Sequence, residues 1–293
     1  MRPRVGHIQF LNCLPIYYGL VKGSGILDLD LVKGTPTELN SLLLSGKLDI
    51  SPISSIEYAR NADDLILFPG PTVSCRGPVQ SILLVSRHPI EDLDGRHIGL
   101  TSTSATSQIL LKVLLENEFK VRPHYFSFGE DLDDALAHGD AALLIGDRAL
   151  ENRSPGRGLK VFDLGEKWRD ATNLGMVFAV WAVRRDFLSR YPELTHHVWK
   201  LFQSSIEYCS PNLNRIAADA SRWEKFPASF LENYFRTLTF GFEDDLRQGL
   251  LLFYRLAAAA GYLQKEPTLD FFAPHPSPEH DSGTQSRKMV SSI

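Results

Sequence analysis

Short apolar runs of strand character alternate with helix-start signals from residue 5 to residue 184, and this alternation most narrows what the chain can fold into. Residues 5–10 read as a buried first strand ending at Leu11-Asn12-Cys13, and Pro15 suits the first turn of a helix reaching about Leu20. A second strand is expected over residues 27–32. Thr35-Pro36-Thr37-Glu38 follows with a hydroxyl N-cap, Pro at N1 and Glu at N3, the elements of a capping box. The helix it opens runs over Leu39, Leu42 and Leu43 and stops at Gly46. Residues 48–50 read as a short strand, and Ser51-Pro52-Ile53-Ser54 as the start of a helix ending near Arg60. Strands and helices in turn argue for parallel βαβ units and against an all-α or all-β chain. Small polar residues at the strand ends lie where open α/β sheets bind ligands.

The middle of the chain repeats the pattern. Strands are expected at residues 79–86, 97–100, 124–128, 141–145 and 176–183, and helices at 108–118 and 131–137, with a hydroxyl-rich loop at 101–107. From Asp186 onward apolar residues recur at helical spacing, and residues 267–293, rich in Pro, Ser and His, are expected to form a disordered tail. A length of 293 residues favours two domains. The expected division is one lobe of residues 1–82 plus 184–266 and a second lobe of residues 83–183, with the strands at 79–86 and 176–183 as the crossings.

Charge and cysteine usage exclude several classes. The net charge of −4 is spread along a mixed sequence with no basic block, so nucleic acid is not an expected partner. No apolar run approaches the roughly 18–20 residues of a membrane span, and the first residues lack the apolar core of a secretory signal, so a cytoplasmic location is expected. Three scattered cysteines without a CxxC indicate neither a disulfide framework nor a structural zinc.

Five blocks carry a specific likeness: Gly6-His7-Ile8-Gln9-Phe10-Leu11-Asn12-Cys13-Leu14-Pro15, the run from Gly46 to Tyr58, Gly77-Pro78-Val79-Gln80-Ser81, the run from Leu100 to Ser107, and Leu144-Ile145-Gly146-Asp147. In this order, over about residues 5–184, they resemble the chorismate dehydratases that open the futalosine route to menaquinone. The resemblance implies a two-lobed α/β fold of the type II periplasmic-binding-protein kind, with a ligand cleft between lobes. It also implies a hydro-lyase that converts chorismate to 3-[(1-carboxyvinyl)oxy]benzoate with no metal or organic cofactor. The family's cleft asparagine falls on Asn12 and its cleft serine on Ser81.

The residues suit such chemistry to different degrees. A dianionic substrate can be held by hydroxyls and unpaired helix N–H groups, and Thr103-Ser104-Ala105-Thr106 sits where a strand hands over to a helix. Ser51 and Ser54 offer a matching set from the other lobe, although either cluster alone reads more simply as N-capping. Asn12 can both donate and accept, so it can orient a hydroxyl or a carboxylate; a cap or turn is its plainer role. Ser81 has no Ser-His-Asp partners and is assigned a hydrogen bond near the reacting carbon rather than a nucleophilic role.

The general base stays open. His7 reads as a structural histidine, and Asp147 either faces the cleft as a substrate-binding group or caps the helix that starts there. The substrate's own side-chain carboxylate is the third candidate, with Asn12 and Ser81 holding it. Cys13 reads as a small buried hydrophobe and His196-His197 as a surface pair. Trp168 reads equally as lid or as packing. Three rival functions stand beside the dehydratase: a 1,4-dihydroxy-6-naphthoate synthase of the same fold, a non-catalytic binder of small carboxylates, and a regulator's effector domain. The fold alone does not separate them.

Overall fold

In the computed structural model, which describes residues 1–156 and 158–274, the strands divide between two mixed sheets. The chain lays down β1 (Arg4–Ile8), β2 (Asp30–Gly34), β3 (Ile50–Ser54) and β4 (Leu65–Cys75), then crosses. β5 (Ile82–Ser86), β6 (His97–Thr101), β7 (His124–Phe128), β8 (Ala141–Ile145) and β9 (Lys160–Asp163) form the second sheet. The chain then returns through β10 (Met176–Arg184) and the short β11 (Leu238–Thr239). The strand orders are β2-β1-β3-β10-β4-β11 and β7-β6-β8-β5-β9. In each sheet the strand laid down straight after a crossing, β10 or β5, inserts antiparallel among the others. The two sheets therefore share one plan, and the helices Arg185–Arg190, Pro192–Cys209, Leu213–Ala220, Ala228–Thr237 and Asp244–Ala259 complete the structure.

Several elements differ from the sequence reading. β10 pairs with β3 and β4 in the first sheet, so residues 176–183 do not join the second sheet as the division at 83–183 had them. Its first eight residues are all buried, and a strand covered on both faces carries no alternation to say which sheet it joins. β4 went unread because Pro69-Gly70-Pro71 interrupts it and reads as a loop. The strand survives by slipping register against β10 between Val180 and Ala182. The Pro69 carbonyl is freed there and accepts from Trp199 Nε1 at 2.9 Å and Gln203 Nε2 at 2.5 Å. Gly70, at φ +125°, leaves no room for a Cβ against Gln203.

Ser51-Pro52-Ile53-Ser54 continues β3, and the helix starts only at Ser55. Residues 267–274 are also held: the Leu67 N–H donates to Asp270 O and the Phe272 N–H to Leu67 O, both at 2.8 Å, covering the edge of β4. The rest of the expected tail, 275–293, lies outside the described residues. The capping box at Thr35 forms as expected, with the Thr35 N–H donating to Glu38 at 2.8 Å.

One carboxylate ties the crossing to the second sheet. Asp163, at the end of β9, accepts from the backbone N–H groups of Val79 (3.0 Å), Gln80 (2.6 Å), Gly165 (2.9 Å) and Glu166 (3.1 Å). It caps the helix Leu164–Thr172 and at the same time fixes the loop in which Gln80 takes φ +61°. Removing it strands several part-buried donors. Asp163→Ala is expected to lower the unfolding free energy by about 3 kcal/mol, with Asp163→Asn losing less, as read from urea midpoints.

Candidate functional site

The carboxyl ends of β1, β2 and β3 in one sheet face those of β6 and β8 in the other, and a small cavity of about 40 Å³ lies between them. Its walls are largely apolar, with Phe10, Val73, Ile82 and Phe178 among them. Four polar side chains interrupt those walls: Asn12 and Ser54 from the first sheet, Ser104 and Ser107 from the second. An apolar pocket with a few placed polar groups is the usual form of a small-molecule site.

Asn12 sits in a single 3₁₀ turn, Leu11–Cys13, directly after β1. Its Oδ1 is buried and has no protein donor among the described residues, an uncommon state for such an atom. Ser54 ends β3, where its N–H donates to Asn40 Oδ1 at 3.1 Å and its Oγ accepts from Asn40 Nδ2 at 3.1 Å. Ser104 is the N-cap of the helix Ala105–Asn117 and accepts from the Ser107 N–H at 3.3 Å, and the two hydroxyls lie 2.9 Å apart.

The remaining expected residues take other positions. Thr106 reaches across the cleft and accepts from the Ile56 N–H at 3.2 Å, capping the helix Ser55–Arg60, whose own N-cap Ser54 makes no such bond. Asp147 also reaches across, and its Oδ1 accepts from the Leu11 N–H at 3.1 Å. It therefore caps the turn that carries Asn12 rather than its own helix. Beside it Gly146, at φ +57°, lies under the Phe10 ring, so that a Cβ there would meet the ring at 3.0 Å. A third tie runs from the Thr37 hydroxyl to the Ser102 carbonyl at 2.9 Å.

Ser81 is fully buried next to the wall residue Ile82, donates weakly to Val79 O at 3.4 Å, and faces the buried hydroxyl of Tyr234. Thr103 bonds Thr101 at 2.9 Å, and Ala105 opens its helix; neither forms part of the cavity wall. Ser51 is a correction: in mid-strand it donates to Pro52 O and packs against Gly6 away from the cavity, because Pro52 does not start a helix there.

The base candidates separate on environment. His7 stacks on Tyr17 at 3.8 Å with a buried, unpartnered Nδ1, and burial, helped by Lys33, holds its pKa down to about 4. It lies outside the cavity wall. Burial pushes the Asp147 carboxyl up to about 6 against the pull of the Leu11 N–H, with Glu224, Glu151 and Glu130 adding repulsion. Burial raises the Cys13 thiol so far that it stays protonated, which leaves it an inert apolar group. Trp168 is wholly buried, donates to Gly175 O at 3.0 Å and packs on Phe253, so it is core and not lid. His197 pairs with Asp28 at 3.1 Å, and no metal-ligand cluster occurs among the described residues. Nor is any described helix long and apolar enough to cross a membrane.

Ser107 and Asn40 were missed in the sequence, Ser107 because it reads as one more residue of a hydroxyl-rich loop and Asn40 because a lone Asn inside a helix has no pattern.

Two sheets with a cavity between their facing strand ends define a two-lobed binding-protein-like architecture. The periplasmic aliphatic sulphonate binding protein of Escherichia coli shares it, with a TM-score of 0.64 and 15% identity over 99% of this chain and 97% of that one. Residues 3–259 match the menaquinone biosynthesis family, and the chain belongs to that family. A chorismate dehydratase of Thermus thermophilus is 36% identical over 64% of this chain and 72% of its own. A 1,4-dihydroxy-6-naphthoate synthase of the same organism is 27% identical over 62% of this chain and 66% of its own.

Asp147 yields a pH prediction. Its proton is held more tightly in the folded protein than in the unfolded chain, so its contribution is most favourable below about pH 4 and is lost as pH rises toward 6. Asp147→Asn keeps the acceptor for Leu11 without the buried charge. It is expected to stabilise the protein by roughly 1–3 kcal/mol at pH 8 and to have little effect near pH 4, as read from urea midpoints.

Proposed function

We propose that the protein is a chorismate dehydratase, a hydro-lyase that removes water from chorismate to give 3-[(1-carboxyvinyl)oxy]benzoate in menaquinone biosynthesis. The observation that carries this reading is the buried, donorless Oδ1 of Asn12 in the wall of a largely apolar inter-lobe cavity. A largely apolar wall of that kind suits a flat carbon ring, and the few hydroxyls suit its carboxylates. The relative at 36% identity bears the same activity in its name.

The reaction breaks the ring C–O bond to a hydroxyl and the C–H bond on the neighbouring carbon. The C–H electron pair completes the aromatic ring, and the proton it leaves behind passes by way of the substrate's side-chain carboxylate to the departing hydroxyl, which leaves as water. The driving force lies in that aromaticity, so the protein's task is orientation, which is worth up to about 7–11 kcal/mol of barrier lowering. Asn12 Oδ1 accepts from the substrate's hydroxyl, and its amide N–H groups donate to a substrate carboxylate. Ser54 and the Ser104–Ser107 pair hold the anionic end. Ser81, anchored beside Tyr234, supports the wall next to the reacting carbon.

Among the described residues no strong base lines the cavity. His7 lies off its wall, and Asp147 is spent on the Leu11 N–H. The proton therefore goes to the substrate's own side-chain carboxylate, held by Asn12. A normal rate at saturation on an analogue lacking that carboxylate would contradict this step. Three buried free thiols accord with a reducing, cytoplasmic setting, which belongs to the same proposal.

The test is incubation of the protein with chorismate, with product analysis by chromatography and mass spectrometry against an enzyme-free control. A product one water lighter is expected. Asn12→Ala should lower kcat/KM at least about 100-fold and Ser81→Ala about tenfold or more, with both variants folded. Intact chorismate would reject the reading and turn attention to the naphthoate-forming reaction.

A further inference from the structure

Asn40 stands behind the cavity on the helix Pro36–Leu44, buried and outside the wall itself. Its Oδ1 accepts from the Ser54 N–H at 3.1 Å, and this settles which way the amide points, since only its oxygen can face a backbone donor. The Nδ2 end is thereby committed to donating to Ser54 Oγ, also at 3.1 Å. Ser54 Oγ is thus an acceptor on its buried side. Its own hydrogen has no protein acceptor among the described residues, and the open space beside it is the cavity that Ser54 lines. Across that space Ser104 accepts from the Ser107 N–H, so one hydroxyl hydrogen of the Ser104–Ser107 pair is likewise left over.

We propose that Asn40 is a positioning residue that locks the Ser54 hydroxyl as a hydrogen-bond donor directed into the inter-lobe cavity, where it takes a substrate carboxylate. The inference deepens the dehydratase reading and rests on it for the identity of the substrate. A carboxylate is the chemistry that such a donor selects, because it offers acceptors and nothing else. Asn40 touches no substrate and acts through Ser54.

The test compares the wild-type full chain with Asn40→Asp, Asn40→Leu, Ser54→Ala and the Asn40→Asp/Ser54→Ala double variant. Two readouts are taken at pH 8: the Kd for isophthalate by calorimetry, and kcat and KM for chorismate. Isophthalate is a flat dicarboxylate that has no water to lose. A carboxylate at position 40 still accepts from the Ser54 N–H but now also accepts from the Ser54 hydroxyl, turning it out of the cavity. Asn40→Asp is therefore expected to raise the isophthalate Kd and the chorismate KM by about tenfold or more, with a much smaller change in kcat. Ser54→Ala should do the same, and the double variant should bind no worse than the weaker single one. Repulsion from the new charge alone would persist without the Ser54 hydroxyl and multiply with its loss, which would overturn the proposal.

An unchanged Kd in a folded Asn40→Asp protein would also overturn it, with Asn40→Leu serving as the second variant if Asp is not tolerated. Should the wild type bind isophthalate but leave chorismate intact, the dehydratase reading fails while the Kd comparison still decides the role of Asn40. Binding of neither probe would reject both.

Discussion

Two helical starts in the first sheet take their caps from side chains of the second, and the site depends on those bonds. The Leu11 N–H finds Asp147 and the Ile56 N–H finds Thr106, while Phe10 and Ser54, the N-cap residues of those turns, make no side-chain cap of their own. Exposed N–H groups at helix starts need partners. Here the partners come from the other lobe, so the bonds that cap the two starts also hold the lobes together. The Thr37–Ser102 bond and the Phe10 ring over Gly146 lie along the same seam.

The consequence is a cavity whose polar groups are few and mostly committed. Thr106 and Asp147 are used up in holding the lobes, Ser104 in starting its helix, and Ser54 in answering Asn40. What remains is the donorless oxygen of Asn12 and the spare hydroxyl hydrogens of Ser54 and of the Ser104–Ser107 pair. Those groups are the ones the proposed function assigns to holding a hydroxylated, carboxylated ring. The two-lobed fold brings groups from both sheets to one cavity. An elimination driven by aromaticity asks little more of it than accurate capture, which is how a binding-protein architecture can serve an enzyme of this family.

Much of this was legible in the sequence, and the gaps have physical causes. The Thr35 capping box and the hydroxyl at the start of the helix Ala105–Asn117 are local devices, written within four residues, and both could be read directly. Asn12 was expected just after the first strand, and Ser54 and Ser104 at the starts of helices that follow strands; all three line the cavity. β4 was hidden because Pro69-Gly70-Pro71 signals a loop unless the Pro69 carbonyl has Trp199 and Gln203 to answer it, 130 and 134 residues away. Ser51 was misplaced because Pro52 imitates a helix start. The roles of Thr106 and Asp147 were invisible for a different reason: each was expected to bind substrate, with capping of its own helix as the plainer role, whereas the turn it caps belongs to the other lobe. Asn40 carries no local signal at all, since its meaning lies wholly in the strand end it touches.

The central claim is that the cavity between the two sheets is where the carboxylated ring is held. A crystal structure of the protein soaked with 3-[(1-carboxyvinyl)oxy]benzoate tests it most directly. The aromatic ring is expected between the walls that carry Val73 and Ile82, with a carboxylate within hydrogen-bond reach of Ser54 Oγ or the Ser104–Ser107 pair and the Asn12 amide in contact. A ligand bound elsewhere, or an unaltered cavity at saturating concentration, would contradict it.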